Sequence, residues 1–314
     1  MLANKPGESP VNYRLLYPVI FSLVMAVITT ACAPTTAIPT APLATTPLDA
    51  KVDVGGYKLR IICTGQGTPT VIVDAAFGEP ALESGNWISV RYGIEKTTRI
   101  CLYDRAGLGS SDAPPFRPRT SQDMVNDLHT LLVNANVPDP YLLVGHDIGG
   151  FNVRLYASQY PDEVVGMVLV DSIHPDYESE TLAVLPPESP GEPDILRYIR
   201  RAGVFPSSTE NPESIDFVAS AAQVRATNVL GDLPLVVLTS ANNYVYLDLP
   251  PDVDAKINQV WQDLQIDLAK LSSNSTHVMA REDGSYIYIP LQEPQLVIDA
   301  ILKVIEDAKK SARQ

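Results

Sequence analysis

Six residues, Gly145-His146-Asp147-Ile148-Gly149-Gly150, separate a short apolar run, Tyr141-Leu142-Leu143-Val144, from a segment, Phe151 to Tyr160, whose apolar residues recur at helical spacing. Few chain paths satisfy both neighbours. A strand must become a helix within this turn. Side chains at 145, 149 and 150 would collide with the strand or the helix on either side. The residue at the apex, Asp147, is then carried at the carboxyl end of a strand and beside the amino end of a helix.

From Val52 onward, short apolar runs alternate with helical patterns, which predicts an α/β sheet with helices on both faces. The strand candidates are Tyr57–Cys63, Thr70–Asp74, Arg99–Asp104, Tyr141–Gly145, Val165–Asp171, Leu235–Thr239 and His277–Ala280. Thr120-Ser121-Gln122-Asp123 has the form of a capping box, and Val125, Leu128, Leu131 and Leu132 mark one face of the helix it starts. With 45% hydrophobic and 19% charged residues, the 314-residue chain can bury a sizeable core. Residues 175 to 232 interrupt the alternation. They are rich in Pro, Ser and Glu, with a helical patch from Ile195 to Val204, and an insertion of about sixty residues between core strands reads as a lid. The formal net charge of -14 argues against nucleic-acid partners and against electrostatic adhesion to anionic lipid.

The amino-terminal region follows different rules. Lys5 and Arg14 precede an apolar stretch from Leu15 to Ala31 that ends at Cys32, the layout of a secretory signal. Thr29-Thr30-Ala31-Cys32 resembles the lipobox of bacterial lipoproteins, although Thr29 stands where leucine is usual; an uncleaved membrane anchor is the alternative. Residues 33 to 48 hold four prolines and five threonines with no charge, and so form an extended tether. The expected organisation is a signal or anchor over 1–31, a tether over 32–50 and a folded domain over 51–314. The expected location is the non-cytoplasmic side of a bacterial membrane, with the lipid bilayer as a partner through Cys32.

The turn at Asp147, the run Leu102-Tyr103-Asp104-Arg105-Ala106-Gly107-Leu108-Gly109-Ser110-Ser111-Asp112, and Tyr160-Pro161-Asp162-Glu163-Val164 leading to Leu169-Val170-Asp171 together resemble the alpha/beta-hydrolase fold, in its lid-bearing group. The resemblance spans roughly residues 52 to 306. It implies a mostly parallel, eight-stranded sheet with helices on both faces and a lid insertion. It also implies that the second and fourth strands are neighbours, which would bring Cys63 beside Cys101 as a disulfide or as two reduced thiols.

In that fold, acyl transfer uses a nucleophile at the turn, a histidine base, an acid that orients the histidine, and two backbone N–H donors that form the oxyanion hole. The resemblance assigns the donors to Phe77 and Ile148, and the acid to Asp171, with Asp248 and Asp252 as second choices. The nucleophile position holds Asp147 in place of serine. The histidine position, in Ala280-Arg281-Glu282-Asp283-Gly284-Ser285-Tyr286, holds Ser285. Of the four histidines, His146 points away from the nucleophile, His129 lies on the Thr120 helix and His277 begins the last strand. His174 is the one stand-in on the right side of the sheet. No cofactor or metal is implied, because histidines and cysteines lack ligand spacing and the glycines match no phosphate loop.

Two readings follow. One is a protein of hydrolase ancestry with a degenerate triad, holding a small apolar or ester-like molecule in a lidded pocket walled by Tyr198, Phe205 and Phe217. The other is an active hydrolase in which Asp147 attacks an ester, epoxide or haloalkane, with His174, Tyr286 or Tyr288 completing the proton path. On either reading the helix amino terminus and the two donors are expected to favour ionised Asp147, which could turn inward and fill the hole itself.

Overall fold

The computed structural model describes residues 47–209, 211–227, 230–241, 249–281 and 288–311. Among these, eight strands form one sheet: β1 (Leu48–Asp53), β2 (Lys58–Thr64), β3 (Thr70–Asp74), β4 (Ile100–Tyr103), β5 (Tyr141–His146), β6 (Val164–Val170), β7 (Leu235–Ser240) and β8 (Ser275–Ala280), in the order β1-β2-β4-β3-β5-β6-β7-β8. β2 runs antiparallel to both β1 and β4, and every other pairing is parallel. β3 and β5 are buried at every position, as apolar strands covered on both faces must be.

The helices are α1 (Ile88–Ile94), α2 (Ser121–Asn134), α3 (Gly149–Gln159), α4 (Tyr177–Val184), α5 (Asp194–Ala202), α6 (Phe217–Arg225), α7 (Pro251–Ala269), α8 (Ile289–Gln292) and α9 (Pro294–Ser311). α1 and α9 close one apolar core against the sheet through Trp87, Val90, Val297 and Ile301. The other core takes Leu128 and Leu131 from α2, Phe151 from α3 and Trp261 from α7. The capping box at Thr120 forms: the backbone N–H of Thr120 donates to the Asp123 carboxylate at 2.8 Å.

Seven of the strands fall where the sequence pattern predicts them. The eighth does not. β1 begins at Leu48, inside the stretch assigned to the tether, so the tether's last residues are sheet. Its alternate side chains point to solvent and Leu48, Ala50 and Val52 carry a weak period-two signal that prolines upstream obscure. Between β6 and β7 the chain carries α4, α5 and α6; α6 packs on α2 and α3, and α4 packs on α7.

Cys63 and Cys101 face each other in the β2–β4 register and are joined by a disulfide, with Cα atoms 4.0 Å apart. Both are buried. The bond closes a sequence separation of 38 residues, so its removal is expected to cost about 2–4 kcal/mol. Alkylation in denaturant should mark these two cysteines only after reduction, and a Cys63→Ala, Cys101→Ala variant should unfold at lower urea. Equal alkylation without reductant would show two thiols instead.

Candidate active site

The turn between β5 and α3 is as tight as its glycines require. A Cβ on Gly149 would lie 2.1 Å from the carbonyl oxygen of Asp74, and one on Gly150 would lie 2.4 Å from Cβ of Ser172. Asp147 at the apex has φ 54°, a left-handed conformation that aspartate tolerates better than most residues. His146 ends β5, and strand alternation sends its ring to the other face, where it packs against Trp87 and Tyr288 with Nδ1 3.8 Å from Oε2 of Glu79.

The loop after β3 lies beside this turn. The N–H of Phe77 donates to Oδ2 of Asp147 at 2.9 Å, and the N–H of Ile148 donates to the same carboxylate. Asp147 therefore occupies the donors that the resemblance assigns to an oxyanion. Full burial pushes its carboxyl above the usual range, against the pull of the Phe77 N–H, His146, the Ile148 N–H and Arg105. This corrects the expectation that the donors would favour the ionised form, because desolvation outweighs them.

Asp171 follows β6 at φ 39° and is anchored by Ser240, whose N–H and Oγ donate to Oδ1 at 2.7 and 3.0 Å. Burial pushes its carboxyl up to about 6, opposed by Ser240 and His146 and aided by the charge of Asp147. A carboxyl raised in the folded state stabilises the fold most below its unfolded value, about 3.9, and that contribution is lost as pH rises through about 6. The shift of about two units corresponds to about 3 kcal/mol. Asp171→Asn is accordingly expected to raise urea stability at pH 8 and to leave it unchanged at pH 4. A variant no more stable than wild type at pH 8 would contradict the burial argument.

His174 is not delivered to Asp147. Its Nδ1 accepts the N–H of Asp176 at 3.1 Å and its Nε2 lies 3.3 Å from Oδ2 of Asp267, near the carboxyl end of α7. Both ring nitrogens are thus engaged on the flank of α3 and α7. His129 stacks on Tyr160, and His277 bonds to Oγ1 of Thr239 at 2.8 Å. Asp252 is exposed in the first turn of α7. Tyr288 donates its hydroxyl to Glu79. Ser285, Tyr286, Asp248 and Cys32 lie outside the described residues.

One part of the site had no counterpart in the sequence reading. Arg105, fully enclosed after β4, donates Nη1 to Oδ1 of Asp74 and to the Ala75 carbonyl, and Nη2 to the Ala76 carbonyl, each at 2.6 Å. Its Nε and Nη2 grip the two oxygens of Glu213 at 2.7 and 2.8 Å. Glu213 also accepts the N–H of Gly78 at 2.7 Å. Tyr103 and Asn152 donate to the second oxygen of Asp74. Burial opposes charge on Arg105, but Glu213 and Asp74 outweigh it and hold the guanidinium firmly protonated. The only signal in the sequence was the Asp104-Arg105 pair, and its partner lies 108 residues away.

The sheet order, the glycine-bound turn at its centre and the paired donors define an alpha/beta-hydrolase fold. A family model described as "alpha/beta hydrolase fold" matches residues 69–213. The chain is 28% identical over 241 residues to YqjL of Bacillus subtilis (strain 168), covering 76% of this chain and 85% of that protein. It is 26% identical over 311 residues to a Hormonema carpetanum protein named "Probable transporter efuK", of whose length it spans 43% while 83% of this chain is covered. Among solved structures, a thermophilic esterase from Thermogutta terrifontis superposes with a TM-score of 0.55 at 19% identity, covering 84% of this chain and 99% of that one, a likeness of fold.

Proposed function

We propose that this chain is an exported, membrane-tethered protein of hydrolase ancestry in which acyl transfer has been given up and the fold retained to hold a small apolar or ester-like molecule. The observation that carries this reading is the Phe77 N–H donating to Asp147. The carboxyl oxygen on the donor takes the place of a second oxyanion in either protonation state, and whenever Asp147 is ionised it adds a charge repulsion of a few kcal/mol at short range, on the order of several hundredfold in rate. It also replaces the serine that would attack. Ser285 at the histidine position removes the base, and His174 is engaged elsewhere. Lys5, Arg14, the apolar stretch to Ala31 and Cys32 support the tether, and the Cys63–Cys101 disulfide suits a compartment outside the reducing cytosol.

The test is an assay of the purified chain against short acyl nitrophenyl esters, epoxides and haloalkanes, followed by intact-mass analysis. Turnover no greater than that of Asp147→Asn is expected. Turnover that Asp147→Asn abolishes would overturn the reading.

A second reading is favoured by the same hydrogen bond. With Oδ2 already on its donor, Asp147 is oriented to attack an sp3 carbon, and the resulting ester carbonyl would start in the hole. That reading requires an adduct on Asp147 of the whole substrate mass for an epoxide, whose ring C–O bond breaks and whose oxygen takes up a proton, or of the alkyl group alone for a haloalkane, whose halogen leaves as halide.

A further inference from the structure

We infer that Arg105 and Glu213 are positioning residues for the Phe77 N–H, so that the insertion between β6 and β7 sets the geometry of the hole occupied by Asp147. The inference rests on the reading of the Phe77 and Ile148 donors given above.

A peptide unit is planar, so the Ala76 carbonyl and the Phe77 N–H turn as one rigid body. Arg105 holds that carbonyl through Nη2. The next unit contains the Gly78 N–H, which Glu213 holds. Both peptide units flanking Phe77 are therefore pinned, one by each member of a single ion pair, and this leaves the Phe77 N–H little freedom in direction. Arg105 suits the task because its planar fork donates in fixed directions, two of which take up both oxygens of Glu213.

Glu213 is itself set in place. It is buried between α5 and α6 in a segment bonded to the strand-like stretch before α2: Arg119 donates its N–H to the Ser214 carbonyl, and Asp216 donates its N–H to the Arg119 carbonyl, both at 2.8 Å. The Asn211 side chain accepts the Ile215 N–H at 2.8 Å and closes the turn that presents Glu213. This part of the insertion behaves as a wall of the site rather than as a flap. Phe217, just after it, packs edge-on against Phe77 with ring centroids 5.4 Å apart.

The test uses the full chain labelled with [15N]phenylalanine, which gives six amide resonances, with Phe77→Leu assigning the one at issue. In wild type, the Phe77 amide should report the titration of Asp147. Glu213→Gln, which puts a donor against the guanidinium, is expected to displace the Phe77 resonance and to move that titration midpoint by about half a pH unit or more. Should Glu213→Gln not fold, Arg105→Lys, which keeps the charge but loses the fork, is read in the same way. Val237→Ala, a cavity in β7, should move neither signal. A folded clamp variant that leaves both signals unchanged overturns the inference, as does Val237→Ala moving them equally. Failure of the underlying reading looks different: Asp147→Ala would leave the Phe77 resonance in place, and that result overturns both.

Discussion

Esterase activity is expected to appear when Asp147→Ser and Ser285→His are made together, and not when either is made alone. On the proposed reading, Asp147→Ser alone empties the hole and supplies a nucleophile, but no base to take the hydroxyl proton. Ser285→His alone restores the base of that reading while the hole stays filled. Groups that act as a unit are strongly non-additive, so each single variant should stay near background. Together they should raise kcat/KM on a short acyl nitrophenyl ester by at least about 10²- to 10³-fold, the range for either a general base or a vacated hole acting alone. Asp171, anchored on Ser240, is the carboxylate that the fold resemblance assigns to orient the new histidine. Its raised value of about 6 argues for assaying at pH 8, where it is ionised. A double variant that unfolds at the same urea concentration as wild type and shows no turnover would remove paired loss as the explanation of this site.

The second large effect is structural. Arg105→Ala should lower stability by about 3–5 kcal/mol, because it removes the cation that Asp74 and Glu213, both enclosed, share. For a domain of this size that is a fall in Tm of about 10 °C or more. The loss belongs to the unpaired charges rather than to the pair itself. Replacing all three members, Arg105→Met with Asp74→Asn and Glu213→Gln, should recover a substantial part of it. A loss below about 1 kcal/mol for Arg105→Ala would mean that water reaches these groups.

The pH dependence has two windows of opposite sign. Asp171 contributes stability that fades as pH rises through about 6. Glu79 works the other way: burial pushes it up, but His146, Tyr288 and Asn86 hold it down at about 2, so its contribution fades only as acid approaches that value. Among these groups, stability should be greatest between the two.

Much of the fold was legible because it depends on local chemistry. Glycines 145, 149 and 150 mark a turn that no Cβ could enter, and the backbone oxygen that a Cβ on Gly149 would meet is the physical reason. Thr120 and Asp123 announce a helix start because a capping box is completed within one turn. Asp147 at the apex follows from the same turn rules, whereas the neighbourhood of Cys63 and Cys101 came from the fold resemblance, which left a disulfide and two thiols open until the β2–β4 register placed the two residues opposite each other. β1 was obscured because an edge strand with one wet face leaves only a faint alternation.

The sequence by itself determined which residue types stand at the turn, since that is a matter of spacing along the chain. Only the tertiary structure decided how they behave. Asp147 is fully enclosed, so desolvation overrides the helix terminus and the donors that sequence position reveals. His174 follows Asp171 closely in sequence, yet its ring turns to Asp267, 93 residues on. The Arg105–Glu213 clamp joins residues 108 apart in a medium where neither could stay unpaired. Burial and long-range pairing are properties of the packed chain, because the free energy of a charge depends on what surrounds it in space and not on what precedes it in sequence.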